Sequence, residues 1–157
     1  MTATLPTVAA RAETGIATGT FDRVAGYTVL RLALGVSIFF HGLARFVGGF
    51  EKYAKPTIAG FAHTALPHGL VVLAVDVIPF AEFAIGALVL MGLFSRVALL
   101  ANAALILGLM FGTCMQQNWT TLNTQMPYPI VIALLLFFLG YNAVSLDRVL
   151  TRSARGR

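Results

Sequence analysis

The stretch HGLVVLAVDVIPFAEFAIGALVLMG, residues 68–92, decides the fold. It is apolar over a length that crosses the ~30 Å hydrocarbon core of a bilayer, which takes about 20 helical residues. Yet it carries two acids, Asp76 and Glu82, with Pro79 between them. A charge in hydrocarbon costs a few kcal/mol, so intramembrane acids face other helices and find cationic partners. The stretch therefore predicts a spanning helix bent at Pro79, with bases on a neighbouring helix.

Working outward, three more apolar runs of similar length appear, and helices are expected at about 26–47, 68–92, 97–117 and 127–146. The expected fold is all-α, an integral membrane antiparallel four-helix bundle over residues 25–147. Composition agrees: 58% of the 157 residues are hydrophobic and only 11% charged. A soluble domain of this size has too much surface for its volume to hide that much apolar area. The formal net charge is +5, but the arginines gather at the chain ends and in the turn LFSR, not along one helix face. That argues against a nucleic-acid partner. Cys114 is the only cysteine, which excludes an intramolecular disulfide and a dithiol relay. Residues 1–24 lack an apolar signal-peptide core. They read as a flexible or partner-bound arm, and residues 148–157 as a basic tail.

Orientation follows from Lys and Arg placement. Arg11, Arg23, Arg96, Arg148, Arg152, Arg155 and Arg157 fall on one side, Lys52 and Lys55 on the other. The expectation is a bacterial cytoplasmic (inner) membrane protein with both termini cytoplasmic. Tyr53, Trp119 and Tyr128 stand where interfacial anchors belong on the outer side. The long outer loop, GGFEKYAKPTIAGFAHTALP, reads equally as an interfacial helix through Phe50, Tyr53, Ile58 and Phe61, or as a lid over the bundle mouth.

The chemistry-bearing residues are the polar ones in these runs. At 100° per residue, Arg31, Gly35, Ile38, Gly42 and Arg45 share a face of the first helix, with His41 at its edge. The glycines admit a close neighbour. Counting inward from the helix ends predicts Arg31 opposite Glu82, and His41 or Arg45 opposite Asp76. Glu82, His41 and Asp76 are candidate proton-transfer groups; Arg31 and Arg45 are candidate quinone- or anion-binding groups. Arg96, Asn102 and Gln116 are candidates for structural ion pairs or an interface, and Gly108 and Gly112 for a helix-approach site. For every buried pair a purely architectural role stands beside the catalytic one. No metal site is expected. A bis-histidine haem is not expected either, since His41 has only His63 and His68 for company.

These residues carry a resemblance. The segments RLALGVSIFFHGLARF (31–46), AEFAIGALVLMGLFSRVALL (81–100) and YNAVSLDRVL (141–150) resemble the DoxX/DoxD family of small four-helix bacterial membrane proteins, across about residues 27–150. The block Glu82, Gly86, Gly92 and Arg96 is its most specific part. Arg45 stands where the family commonly has lysine, exchanging a titratable ammonium for a permanent charge. The family includes small subunits of thiosulfate:quinone oxidoreductase. The resemblance thus implies a subunit of a quinone-linked oxidoreductase complex, anchoring a redox partner and contributing to a site for ubiquinone or menaquinone. A non-catalytic scaffold or assembly subunit is the alternative. No self-contained catalytic site is evident, so electrons would have to come from a partner.

Overall fold

The computed structural model describes residues 8–155, with side chains described from Gly19 to Thr151 and at Ser153. All regular structure among the described residues is helical. In chain order it comprises α1 (Val8–Val47), α2 (Phe50–Gly60), α3 (His68–Met91), α4 (Ser95–Met115), α5 (Trp119–Gln125), α6 (Pro127–Phe137), a 3-10 turn (Leu139–Tyr141) and α7 (Leu146–Arg155). Three stretches are long and apolar enough to cross a membrane: Gly19–Val47 of α1, all of α3 and all of α4. Only 28% of each such window is buried against the rest of the chain, so lipid must cover what remains. Val29, Phe40, Leu73, Phe80, Leu107 and Phe111 point outward accordingly.

The glycines explain the tightest packing. A Cβ on Gly42 would fall 2.5 Å from Phe83 N, one on Gly86 2.4 Å from Phe39 N, and one on Gly35 2.9 Å from Leu90 N. Helices α1 and α3 therefore meet backbone to backbone, the device that lets transmembrane helices gain dispersion contacts where lipid offers no hydrophobic drive. Helix α4 packs on α3 and α6, and α6 returns to α1. Leu99, Ile132, Leu135, Val89 and Ile106 fill the space between them. Tyr128 and Ser37 join α6 to α1 by a 2.8 Å hydrogen bond between hydroxyls.

Three boundaries differ from expectation. Helix α1 begins at Val8, so most of the stretch read as an arm continues the helix; residues 1–7 lie outside those described. The segment NWTTLNTQ, read as a polar connection, forms α5. Asn118 caps it, its Oδ1 accepting from Thr121 N at 3.1 Å. Finally, no single helix runs from 127 to 146. Helix α6 stops at Phe137 after 11 residues, about 16 Å at 1.5 Å per residue. The cause lies at both ends. Pro127 lacks the N–H that would join α6 to α5 through Met126, although Met126 itself keeps helical angles. At the other end Gly140 weakens the helix, and the chain tightens into the 3-10 turn.

The connection between α1 and α3 forms a helix that also covers. Helix α2 packs against α3 and α1, and Tyr53, Thr57 and Phe61 roof the cavity described next.

A buried ion pair beside an apolar cavity

The register set by the glycine contacts governs every charge in the bundle. Gly42 lies against Phe83, Phe39 against Gly86 and Gly35 against Leu90. Extended along α1, this antiparallel register places Glu82 level with Leu43, Arg31 level with Phe94 and Asp76 level with Gly49. About twelve residues, ~18 Å of rise, therefore separate Arg31 from Glu82. The expected pairing of those two does not form.

Glu82 pairs instead with Arg45, Nη1 to Oε2 at 2.6 Å, with 3% of the Glu82 side chain exposed. The Arg45 guanidinium also lies over the Tyr53 ring, 4.3 Å from its centroid, a cation–π contact. These contacts leave most of its five donors without a protein partner. Arg45 borders a cavity of about 390 Å³ between α3 and α4 beneath α2. Its walls are mainly apolar, among them Val71, Val75, Ile78 and Phe111; Arg45, Tyr53, Thr57, Thr113 and Gln116 supply the polar positions. Burial pushes the Tyr53 phenol up despite the opposing charge of Arg45, so its hydroxyl stays a donor at neutral pH.

The expected helix-approach site at Gly108 and Gly112 serves this cavity. A Cβ on Gly108 would meet nothing within 4 Å, and one on Gly112 would come 3.2 Å from the Phe61 ring. Gly108 makes room for the void, and Gly112 for the ring of Phe61 at the end of α2.

Arg31, 4% exposed, is bound into the opposite end. Its Nη2 donates to Val144 O at 2.7 Å and its Nη1 to Val89 O at 3.5 Å. A Cβ on Gly92 would fall 1.9 Å from Arg31 Nη1, and Gly92 has φ +63°, so only glycine fits there. Around this corner the C-terminal segment is fastened to α4. Asp147 Oδ1 and Oδ2 accept from Phe94 N and Ser95 N at 2.8 Å each, and Asp147 N donates to Gly92 O at 3.1 Å. Asn142 Nδ2 donates to Ser95 Oγ at 2.7 Å. Partial burial raises the Asp147 carboxyl's pKa, but the bonds from Ser95 and Phe94, aided by the charge of Arg31, outweigh it and hold the group below its ordinary 3.8.

The remaining candidates disperse. His41 is exposed and its Nδ1 donates to Ser37 O of its own helix at 2.7 Å. Asp76 is exposed, beyond the end of α1, and neither His41 nor Arg45 pairs with it. Arg96 is exposed beside Asp147 and Arg148. Asn102 is fully buried, and neither atom of its amide has a partner among the described residues. Gln116 borders the cavity. Sequence reasoning missed Tyr53 and Thr113 as cavity groups, and Ser95, Asn142 and Asp147 as the inner fastening. Tyr53 carried a signal, lying eight residues past Arg45 in a loop with helical spacing. Asp147 carried none, because it caps a helix 52 residues away.

Arg45 of α1 held by Glu82 of α3, the Tyr53 phenol of α2 and the Gln116 amide at the end of α4 thus gather at an apolar void. No curated protein and no solved structure matches the chain. The family model described as DoxX matches residues 26–115, which takes in Arg31, Arg45, Glu82 and most of the cavity wall, and this multi-pass membrane protein belongs to the DoxX family.

Proposed function

We propose that the chain is a membrane subunit of a quinone-linked oxidoreductase complex, and that the cavity between α3 and α4 receives the quinone ring. The observation that carries this reading is Arg45. It is held by Glu82 at 2.6 Å and borders an apolar space of about 390 Å³, within the roughly 300–1,000 Å³ usual for small-molecule sites. An apolar slot with few convergent donors suits a flat ring bearing two carbonyl oxygens. A bound ubiquinone or menaquinone would supply two-electron, two-proton acceptor chemistry. The chain's own residues then do three things. Arg45 and Tyr53 donate to carbonyl oxygen; Val71, Val75 and Ile78 exclude water; and Glu82 orients Arg45 and holds a carboxylate one residue removed from the ring. Electrons come from a partner subunit. The excess of arginine at the end bearing Arg23, Arg96 and Arg148 supports placing both termini on the cytoplasmic side of a bacterial inner membrane.

Two variants test this in membranes containing the intact complex. Glu82→Gln should lower quinone-dependent turnover about a hundredfold with the complex still assembled on a native gel. Gly108→Leu adds bulk where the backbone leaves open space, so it should weaken binding of ubiquinone-1 to the purified chain without unfolding it. Loss of assembly in the first, or undiminished binding in the second, would favour the scaffold role and overturn the quinone reading.

A further inference from the structure

Away from that cavity, the opposite end of the molecule carries a second surface. Helix α7 exposes Leu146, Val149 and Leu150 at 41%, 62% and 57%. At 100° per residue these three positions fall on one side, while positions 148, 152 and 155, all arginines in the sequence, fall on the other. A short helix with a large exposed apolar stripe opposite a basic one matches the pattern of helices that lie in a membrane interface.

Its position fits that pattern. Asp147, the second residue of α7, holds Phe94 N and Ser95 N at the start of spanning helix α4, and Arg31 holds Val144 just before it. Helix α7 is thereby pinned at the level where α4 leaves the hydrocarbon. Between α7 and α4 lies a cavity of about 450 Å³ bordered by Ser95, Arg96, Asn142, Asp147, Arg148 and Thr151. Among the described residues neither the Arg96 nor the Arg148 guanidinium has a hydrogen bond or an ion pair. The one carboxylate present, Asp147, spends both oxygens on backbone N–H groups. The helix N-terminus is therefore already capped, and the free charge of the cavity is positive.

We infer that this cavity binds the phosphodiester of an acidic phospholipid, with Arg96 and Arg148 on the phosphate and Val149 and Leu150 of α7 laid among its acyl chains. The cations match the anionic leaflet, and the exposed apolar stripe needs the hydrocarbon that a lipid, unlike a soluble anion, brings with it. This site is independent of the quinone cavity, from which α3 and α4 separate it along their length.

The full chain, released from nanodiscs of equal phosphatidylcholine and phosphatidylglycerol, tests the inference by native mass spectrometry. It should retain phosphatidylglycerol preferentially, and the preference should fall about fivefold for each arginine removed in Arg96→Gln and Arg148→Gln. Adding inorganic phosphate at millimolar level should not displace the lipid. If the double variant does not fold, the wild-type preference is followed against salt, and it should shrink as ionic strength rises. Equal retention of both lipids, an unchanged preference in the variants or at high salt, or displacement by phosphate alone would each overturn the inference.

Discussion

Arg31 and Arg45 occupy the same face of the same helix, yet they are used in opposite ways. Arg31 is enclosed at one end, its Nη1 and Nη2 directed to the carbonyls of Val89 and Val144, and among the described residues no acid lies within ion-pair reach. Arg45 is paired with Glu82 and borders an apolar void. What distinguishes them is what the neighbouring chain offers. Beside Arg31 helix α3 ends, and the chain ahead of α7 supplies Val144 O, a carbonyl outside any helix, as the 2.7 Å acceptor. Beside Arg45 the same helix continues and offers Glu82, whose carboxylate answers the charge directly. A buried arginine is architecture where it closes a helix end, and a candidate for chemistry where it is held by an acid and still has donors to spare.

The largest effect expected from breaking this contrast comes from Glu82→Leu. It strands the Arg45 guanidinium against hydrocarbon, and about 3 kcal/mol of stability should be lost, measured by denaturant unfolding in bicelles. The double variant Arg45→Leu/Glu82→Leu should recover most of that loss while no longer binding quinone. A single variant as stable as the parent would mean that the pair does not matter.

Next in size is Arg31→Gln, which removes charged hydrogen bonds to Val144 and Val89. It should cost roughly 1.5–3 kcal/mol and expose the C-terminal segment to protease, while ubiquinone-1 binding stays at the parent level. A drop in that binding would erase the distinction between the two arginines.

The smallest effect concerns the fastening itself. Asp147→Ala should cost about 1 kcal/mol, the usual worth of a helix cap. Because the folded-state carboxyl sits below its ordinary 3.8, its contribution is complete above pH 4 and disappears as pH falls through the depressed folded value. Proteolysis of α7 should therefore accelerate below pH 4 in the parent, and should lack that pH step in Asp147→Ala.

Much of this was legible in the sequence, and the parts that were not share a cause. Hydropathy marked the three spanning helices because a bilayer leaves an apolar helix few alternatives. The glycines of α1 announced a close neighbour, and Gly35 and Gly42 have one. The charge pairing was misread because depth was counted from the ends of each helix. The offset between α1 and α3 is set by where the glycine backbones touch, and α3 runs past the end of α1 by more than two turns, carrying Asp76 clear of His41. The fourth apolar run was also misread, since Pro127 and Gly140 break a segment whose hydropathy alone is continuous. Asp147 was beyond reach because capping across 52 residues leaves no local pattern.

The glycine seam also has a mechanical meaning. Where backbones touch with no side chain between them, there is nothing to rotate or compress, and α1 and α3 move as a single stave. The far wall of the cavity beneath α2 is built differently: Gly108 of α4 has open space in front of it, and α2 reaches over from a short connection. Any give that admits a ligand is therefore confined to α2 and α4, while the stave keeps Arg45 and Glu82 aligned throughout.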